Sequence, residues 1–220
     1  MGLRMEHAQT RLPREIIDGL KAIGSTIIAD AMGRFNAMKG IKHFNEPHVR
    51  MAGQALTVKT IPGDNLMIHK AIDIGSYGDV MVVDGGGDIE RALLGEIMCK
   101  IGQKNGISGY VVDGAIRDAE AIRQMGFPVF AKGTNPGGPF KEGPGKINVA
   151  ISCAGVPVNP GDVIVGDSDG VVVVPYEQAA EVLEKAKSVQ AYELDVLDQI
   201  EAGTLDRSWV DELIKKKGLL

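Results

Sequence analysis

Two short apolar runs, Asp79-Val80-Met81-Val82-Val83-Asp84 and Tyr110-Val111-Val112-Asp113, are separated by a stretch of helical character from about 88 to 104. This arrangement constrains the fold more than any other feature of the chain. Two strands joined through a helix form a right-handed crossover and lie parallel. The unit repeats on both sides. Upstream, residues 55–60 alternate as a strand, Pro62-Gly63-Asp64-Asn65 is turn chemistry, and residues 66–74 read as a helix. Downstream, Asp113-Gly114-Ala115-Ile116-Arg117-Asp118 leads into a helix over 119–125 and a strand over 127–132. The expectation is an α/β chain with a parallel sheet and a crevice at the carboxyl ends of its strands.

The flanks read differently. Residues 13–35 carry Ile16, Ile17, Leu20, Ile23, Ile27, Ile28 and Met32 at mixed spacings of three and four, a helical lead-in interrupted at Gly24. A loop rich in Gly and Pro spans 133–145, and 147–174 is mostly strand, broken by Asn159-Pro160-Gly161-Asp162 and Asp167-Ser168-Asp169-Gly170. A long amphipathic helix over about 176–202 presents Val182, Leu183, Ala186, Val189, Val196 and Ile200 on one face, and a short polar tail follows. No linker is evident, so residues 1–220 read as one domain.

Composition excludes several classes of function. With 44% hydrophobic and 24% charged residues the chain is neither disordered nor collagenous, and its 29 glycines lie between apolar runs. A net charge of −5 argues against nucleic-acid binding through bulk electrostatics, so a small anionic ligand needs a local positive site. Cys99 and Cys153 lack any C-x-x-C partner and read as two buried thiols in a reducing compartment. With no apolar leader in residues 1–14 and no run of 18 apolar residues, the expectation is a cytoplasmic protein without a membrane partner.

The triple glycine 85–87 invites a dinucleotide or S-adenosylmethionine reading, but the third glycine of that fingerprint falls on Glu90, and no Walker pattern occurs. His7, His43, His48 and His69 occur singly, without the spacing of a histidine metal site. Oxygen chemistry remains. Asp113, Arg117 and Asp118 share one strand-to-helix turn, with Glu96 in the crossover helix. Two readings stay open at this point. Asp118 could cap the helix that follows while Arg117 lies on the surface. Alternatively, Arg117 offers a fork to a 2-oxo acid and Asp118 a carboxylate to a divalent cation. Gly95 favours the second, because a glycine opening a helical turn exposes the N–H groups of Gly95, Glu96, Ile97 and Met98 to a carboxylate.

The runs 78–87 (GDVMVVDGGG), 91–96 (RALLGE) and 112–118 (VDGAIRD), together with 62–65 (PGDN) and 166–175 (GDSDGVVVVP), resemble the RraA-like family. That family includes 4-hydroxy-4-methyl-2-oxoglutarate and 4-carboxy-4-hydroxy-2-oxoadipate aldolases. The resemblance covers most of residues 50–200 and includes the family's signature of an acidic residue, twenty intervening residues and Arg-Asp, here Glu96 and Arg117-Asp118. The acidic position is typically Asp, so Glu96 is a departure.

The resemblance implies an αββα sandwich related to swivelling ββα domains, assembled as a homotrimer or homohexamer. It implies a class II pyruvate aldolase with companion oxaloacetate decarboxylation, acting on a small 2-oxo acid. In that reading Arg117 binds the pyruvyl portion, Asp118 ligates Mg²⁺ or Mn²⁺, and the segment Gly95, Glu96, Ile97, Met98 binds substrate. The base for the 4-hydroxyl proton is first a cation-bound water oriented by Glu96 and second Asp113. Glu193, just after Tyr192, falls where such aldolases lend an acidic residue to the neighbouring protomer's metal site. Two rivals remain: a non-catalytic regulator of ribonuclease activity that binds a protein partner, and a methyltransferase resting on the glycine run alone. Members that regulate ribonuclease E can lack the Asp after Arg, which is present here as Asp118.

Overall fold

The computed structural model describes residues 4–5 and 10–219, so His7 lies outside the described residues. The chain opens with β1 (Arg4–Met5), α1 (Arg14–Ile23), α2 (Ser25–Ala31), β2 (Lys42–His43) and the long strand β3 (Met51–Thr60). The repeating part follows as α3 (Leu66–Ile74), β4 (Asp79–Asp84), β5 (Ala92–Leu94), α4 (Glu96–Lys104), β6 (Gly109–Ile116), α5 (Ala119–Gln124) and β7 (Val129–Thr134). Then come β8 (Gly145–Ile147), the hairpin β9 (Ile151–Cys153) and β10 (Val156–Val158), the hairpin β11 (Val163–Asp167) and β12 (Gly170–Val174), α6 (Ala179–Ala202) and α7 (Ser208–Lys216).

Strands β3, β4, β6 and β7 are parallel neighbours in that order, as the crossover pattern requires. The free edge of β3 is shared: its first half pairs antiparallel with β11 and its last residues with β8. Side chains alternate across this sheet. Met81, Val83, Tyr110, Val112, Val129 and Ala131 point into a core shared with α3 and α4, whereas Val80, Val82, Val111 and Phe130 face β9, β10, β11 and β12. The β11–β12 hairpin is itself two-faced. Ile164, Val171 and Val173 look toward the parallel sheet, and Val163, Val165, Val172 and Val174 pack with Leu20, Ile28, Val182 and Leu183 of α1, α2 and α6. Helices, sheet, β layer and helices give the expected αββα sandwich.

Several elements differ from the sequence reading. The stretch 88–104 is not one helix. Residues 92–94 form β5 beside the end of β6, buried and paired through Ala92 to Ala115, and the helix starts only after Gly95, whose backbone is extended. Strand β7 begins at Val129, after Pro128, whose carbonyl accepts the Tyr110 N–H. The polar tail contains α7, with Trp209 and Leu213 exposed. On α6, Val182, Leu183 and Ala186 are buried, but the face continues outward into exposed Tyr192, Leu194, Leu197 and Ile200.

Candidate active site

The carboxyl ends of β5 and β6 lie side by side, and the Arg117 N–H donates to Leu94 O at 3.0 Å, extending their pairing to the point where both chains turn. Asp118 makes its turn with φ 59° and ψ 36°, a left-handed conformation that costs a side-chain-bearing residue energy, though Asp tolerates it better than most. The result is that Asp118 caps no residue of α5 with its side chain but reaches across to α4, where Oδ2 accepts the Glu96 N–H at 3.1 Å. The Arg117 Nε lies 3.8 Å from the same oxygen, and both side chains remain partly open to solvent.

Gly95 makes this approach possible. A Cβ there would overlap Asp118 Oδ2 and stand 2.9 Å from Arg117 Cγ. A Cβ on Gly138, in the loop after β7, would lie 3.3 Å from Arg117 Nη1, so small residues flank the guanidinium on two sides.

These groups border a cleft of about 160 Å³. Its walls are Leu94, Gly95, Ile97 and Met98 from the β5–α4 junction, the Arg117-Asp118 turn, Asn65 and His69 at the start of α3, and Pro139 and Lys141 from the loop after β7. The amino end of α4 opens into it and carries the partial positive charge of a helix N-terminus. Four sequence-predicted residues, Gly95, Ile97, Met98 and Arg117, therefore share the cleft with Asp118.

The other predicted residues sit elsewhere. The Glu96 carboxylate forms an ion pair with Lys100 one turn on, and borders a shallow depression beside Asp118, Glu120 and Gln124. Asp113 is buried on the opposite face of β6. Its Oδ1 lies 2.9 Å from Lys132 Nζ, and its Oδ2 accepts the Ala154 N–H at 2.8 Å. Together with the Lys59–Asp84 pair at 2.8 Å it forms a charged row across β3, β4, β6 and β7. Asp113 is not among the residues lining the cleft. Glu193 is exposed on the outer half of α6, a helix that packs on α1 and α2.

The sequence places Asn65 in a turn, His69 as a lone histidine and Pro139 and Lys141 in the loop 133–145, and assigns none of them to the site. Asn65 and His69 are four apart and share a helix face. Asp64 joins their helix to the loop that carries Lys141: fully buried, its Oδ1 accepts the Leu66 N–H and its Oδ2 the N–H groups of Glu142 and Gly143. The backbones are tied as well, through Asn65 N–H to Phe140 O at 3.0 Å and Phe140 N–H to Gly63 O at 2.8 Å. Burial, with help from the Lys141 charge, lowers the His69 pKa against the opposing pull of Asp73. Cys99, under the site on α4, is pushed up to about 12 by burial and then by the charges of Asp118 and Glu96.

Among the described residues no three His, Cys, Asp or Glu side chains converge as a metal cage. The donor set that is present fits a different kind of site. Asp118 Oδ1 has no hydrogen-bond partner among the described residues, and it stands at the cleft beside an anion-accepting helix terminus. One protein carboxylate completed by water and by ligand oxygens suits Mg²⁺ or Mn²⁺.

Comparison with known proteins agrees with this architecture. Residues 25–173 match the family model described as RraA-like, Aldolase/RraA. A Halalkalibacterium halodurans protein provisionally named 4-hydroxy-4-methyl-2-oxoglutarate aldolase is 46% identical over 178 residues, covering 80% of this chain and 84% of its own. The crystal structure of an uncharacterized Pseudomonas syringae protein superposes with a TM-score of 0.79 at 28% identity, covering 89% of this chain and 92% of that one. The RNA-processing inhibitor RraA from Thermus thermophilus superposes with a TM-score of 0.62 at 32% identity, covering 68% and 91%. Among the described residues no helix is long and apolar enough to cross a membrane. With a family model spanning most of its length, and this relative nearly half identical to it, the chain belongs to the RraA-like family.

Proposed function

We propose that the protein is a divalent-metal-dependent pyruvate aldolase. It would cleave a 4-hydroxy-2-oxo di- or tricarboxylic acid to pyruvate and a second oxo acid, and decarboxylate oxaloacetate through the same enolate. One observation carries this reading: a guanidinium, a carboxylate with an unengaged oxygen and the amino end of a helix meet around Gly95 in a single cleft. The relative named as an aldolase supports it.

In this reading the N–H groups at the start of α4 receive the substrate 1-carboxylate, and Arg117 places its planar fork on the 2-oxo oxygen. Asp118 would hold the divalent cation, which would supply Lewis-acid polarisation of the 2-oxo acid. In cleavage the 4-hydroxyl proton passes to water in the open cleft, the C3–C4 bond breaks, C4 becomes the carbonyl of the second oxo acid, and the bond's electrons pass into the 2-oxo group. Arg117 stabilises the negative charge that develops there, and a proton from water at C3 completes pyruvate. Decarboxylation of oxaloacetate breaks the equivalent bond to carbon dioxide and passes through the same anion.

Assembly belongs to the same reading. The outer half of α6 and α7 exposes Tyr192, Leu194, Leu197, Ile200, Trp209 and Leu213. On the family resemblance, the proposed assembly is a homotrimer or homohexamer that buries this face and in which Glu193 serves a neighbouring protomer's site.

The test is pyruvate release from 4-hydroxy-4-methyl-2-oxoglutarate and from oxaloacetate, with Mg²⁺ or Mn²⁺ and with chelator. Cation-dependent release from both is expected. Release from neither, with either cation, would overturn the aldolase reading and leave the role suggested by the Thermus RNA-processing inhibitor.

A further inference from the structure

Arg91 is exposed and is not among the residues lining the cleft, yet it grips the loop that forms one of the cleft walls. Its Nη1 donates to Gly138 O at 3.2 Å, and its guanidinium carbon stands 4.2 Å from the centre of the Phe140 ring. The two contacts bracket Pro139, which lines the cleft. Phe140 is 52% exposed, so core packing restrains it little, and the cation over its face adds a restraint. The backbone beside Arg91 is tied to the same loop, because the Ala92 N–H donates to Gly137 O at 2.9 Å. Its stem crosses Gly63, where a Cβ would lie 3.1 Å from Arg91 Cδ.

The loop is anchored on either side of this grip. Before it, the Asn135 N–H donates to Ile116 O at 2.9 Å and Asn135 Oδ1 accepts the Gly137 N–H at 2.7 Å; after it, the Phe140 N–H donates to Gly63 O. Between these anchors the Arg91 contact is the one hydrogen bond that Gly138 or Pro139 makes among the described residues. Arg117 depends on that stretch. Its side chain donates no hydrogen bond among the described residues, so its direction is set by the 3.8 Å approach to Asp118 and by the walls at Gly95 and Gly138. A loop that gives way at Gly138 therefore gives the guanidinium room to turn.

We propose that Arg91 is a positioning residue for Arg117. By gripping Gly138 and Phe140 it holds the loop as a fixed wall against the guanidinium and keeps the fork aimed at the 2-oxo oxygen. The proposal rests on the reading of Arg117 as the group that meets that oxygen. Paired hydrogen bonds are directional, and a small displacement of a group that acts on the transition state costs rate out of proportion to stability.

Arg91→Met keeps the stem over Gly63 and removes both contacts with the loop. In ligand-free protein, amide hydrogen exchange over residues 137–141 should then quicken about tenfold while β4 and β6 exchange as in the native chain, from the loss of one charge-assisted hydrogen bond. Phe140→Ala, which removes only the ring, should quicken it about threefold and covers the case in which Arg91→Met fails to fold. Kinetics then show whether the grip acts through Arg117. With Mg²⁺, Arg91→Met should slow exchange of the pyruvate methyl protons about tenfold in kcat, with KM within about threefold. Added to Arg117→Lys, it should cost less than about twofold, because no fork remains to be aimed. Pyruvate has no second carboxylate for Arg91 to meet, and a mere effect of charge would persist beside lysine. Unchanged loop exchange, undiminished kinetics, or an equal loss in both backgrounds overturns the positioning role and leaves the aldolase reading standing. If the native protein exchanges no pyruvate protons with Mg²⁺ or Mn²⁺, the aldolase reading falls and takes the positioning role with it.

Discussion

Gly95 and Asp118 are in such close approach that no side chain fits between them: a Cβ on Gly95 would overlap Asp118 Oδ2, the oxygen that accepts the Glu96 N–H. The Arg117-Asp118 turn and the helix terminus are therefore one unit, and it can be broken at either partner. Gly95→Ala should push Asp118 off the α4 terminus and lower kcat/KM by about 10² or more, the usual scale for losing an anion-stabilising donor. Because the strain falls on partly exposed side chains, the melting temperature should change little. Steady-state kinetics and a thermal melt on the same preparation check both parts.

Arg117→Lys keeps the charge and loses the fork. If Arg117 meets the 2-oxo oxygen through paired hydrogen bonds, lysine should restore little, leaving kcat/KM on the order of 10² below the parent. A lysine variant within about threefold of the parent would reduce Arg117 to a surface charge.

The outer half of α6 gives a joint prediction about assembly and catalysis. Glu193→Ala should lower kcat while leaving the oligomer intact, because the residue is exposed and carries no core contact in its own chain. Sizing by light scattering, with kinetics on the same sample, decides the matter; a fully active Glu193→Ala oligomer, or a fully active monomer, would refute a shared site.

His43 makes stability depend on pH. Burial lowers its pKa below 6.5 against the opposing effects of the Val49 backbone and Asp167, its ring lies 4.9 Å from that of Phe130, and Nε2 is buried without a partner. A histidine with a depressed folded pKa binds fewer protons folded than unfolded, so its penalty is absent well above pH 6.5 and grows as pH falls through 6.5 toward the folded value. Thermal melts between pH 8 and pH 5 should show a decline that is shallower in His43→Gln. His69, lowered in the same direction, should account for part of what remains.

The parallel strands were legible because continuous apolar runs bounded by glycine and aspartate have few alternatives, and Arg117-Asp118 was legible because it ends such a run. Strand β5 was not. Three residues carry no period of their own, and Ala92–Leu94 becomes a strand only because β6 runs past β4 and offers it an edge. Asn65, His69 and Lys141 were hidden for a similar reason. They lie more than seventy residues apart in part, and the Asp64 side chain, reaching from one turn to Glu142 and Gly143, joins the Asn65 and Phe140 backbone bonds in making them a single wall. Helix α7 was masked by charge: Trp209, Val210 and Leu213 have helical spacing, but among the described residues Trp209 and Leu213 stay exposed and Val210 is only partly buried.

Exchange of the pyruvate methyl protons tests the central claim most directly, because the proposed aldolase chemistry forms the enolate at the Arg117-Asp118 end of the cleft. In deuterated buffer with Mg²⁺ or Mn²⁺, proton NMR should show the methyl signal decaying with the native protein, and persisting with chelator or with Asp118→Asn. Decay at the native rate in Asp118→Asn, or no decay with the native protein and either cation, would contradict the assignment of pyruvate enolate chemistry to this site.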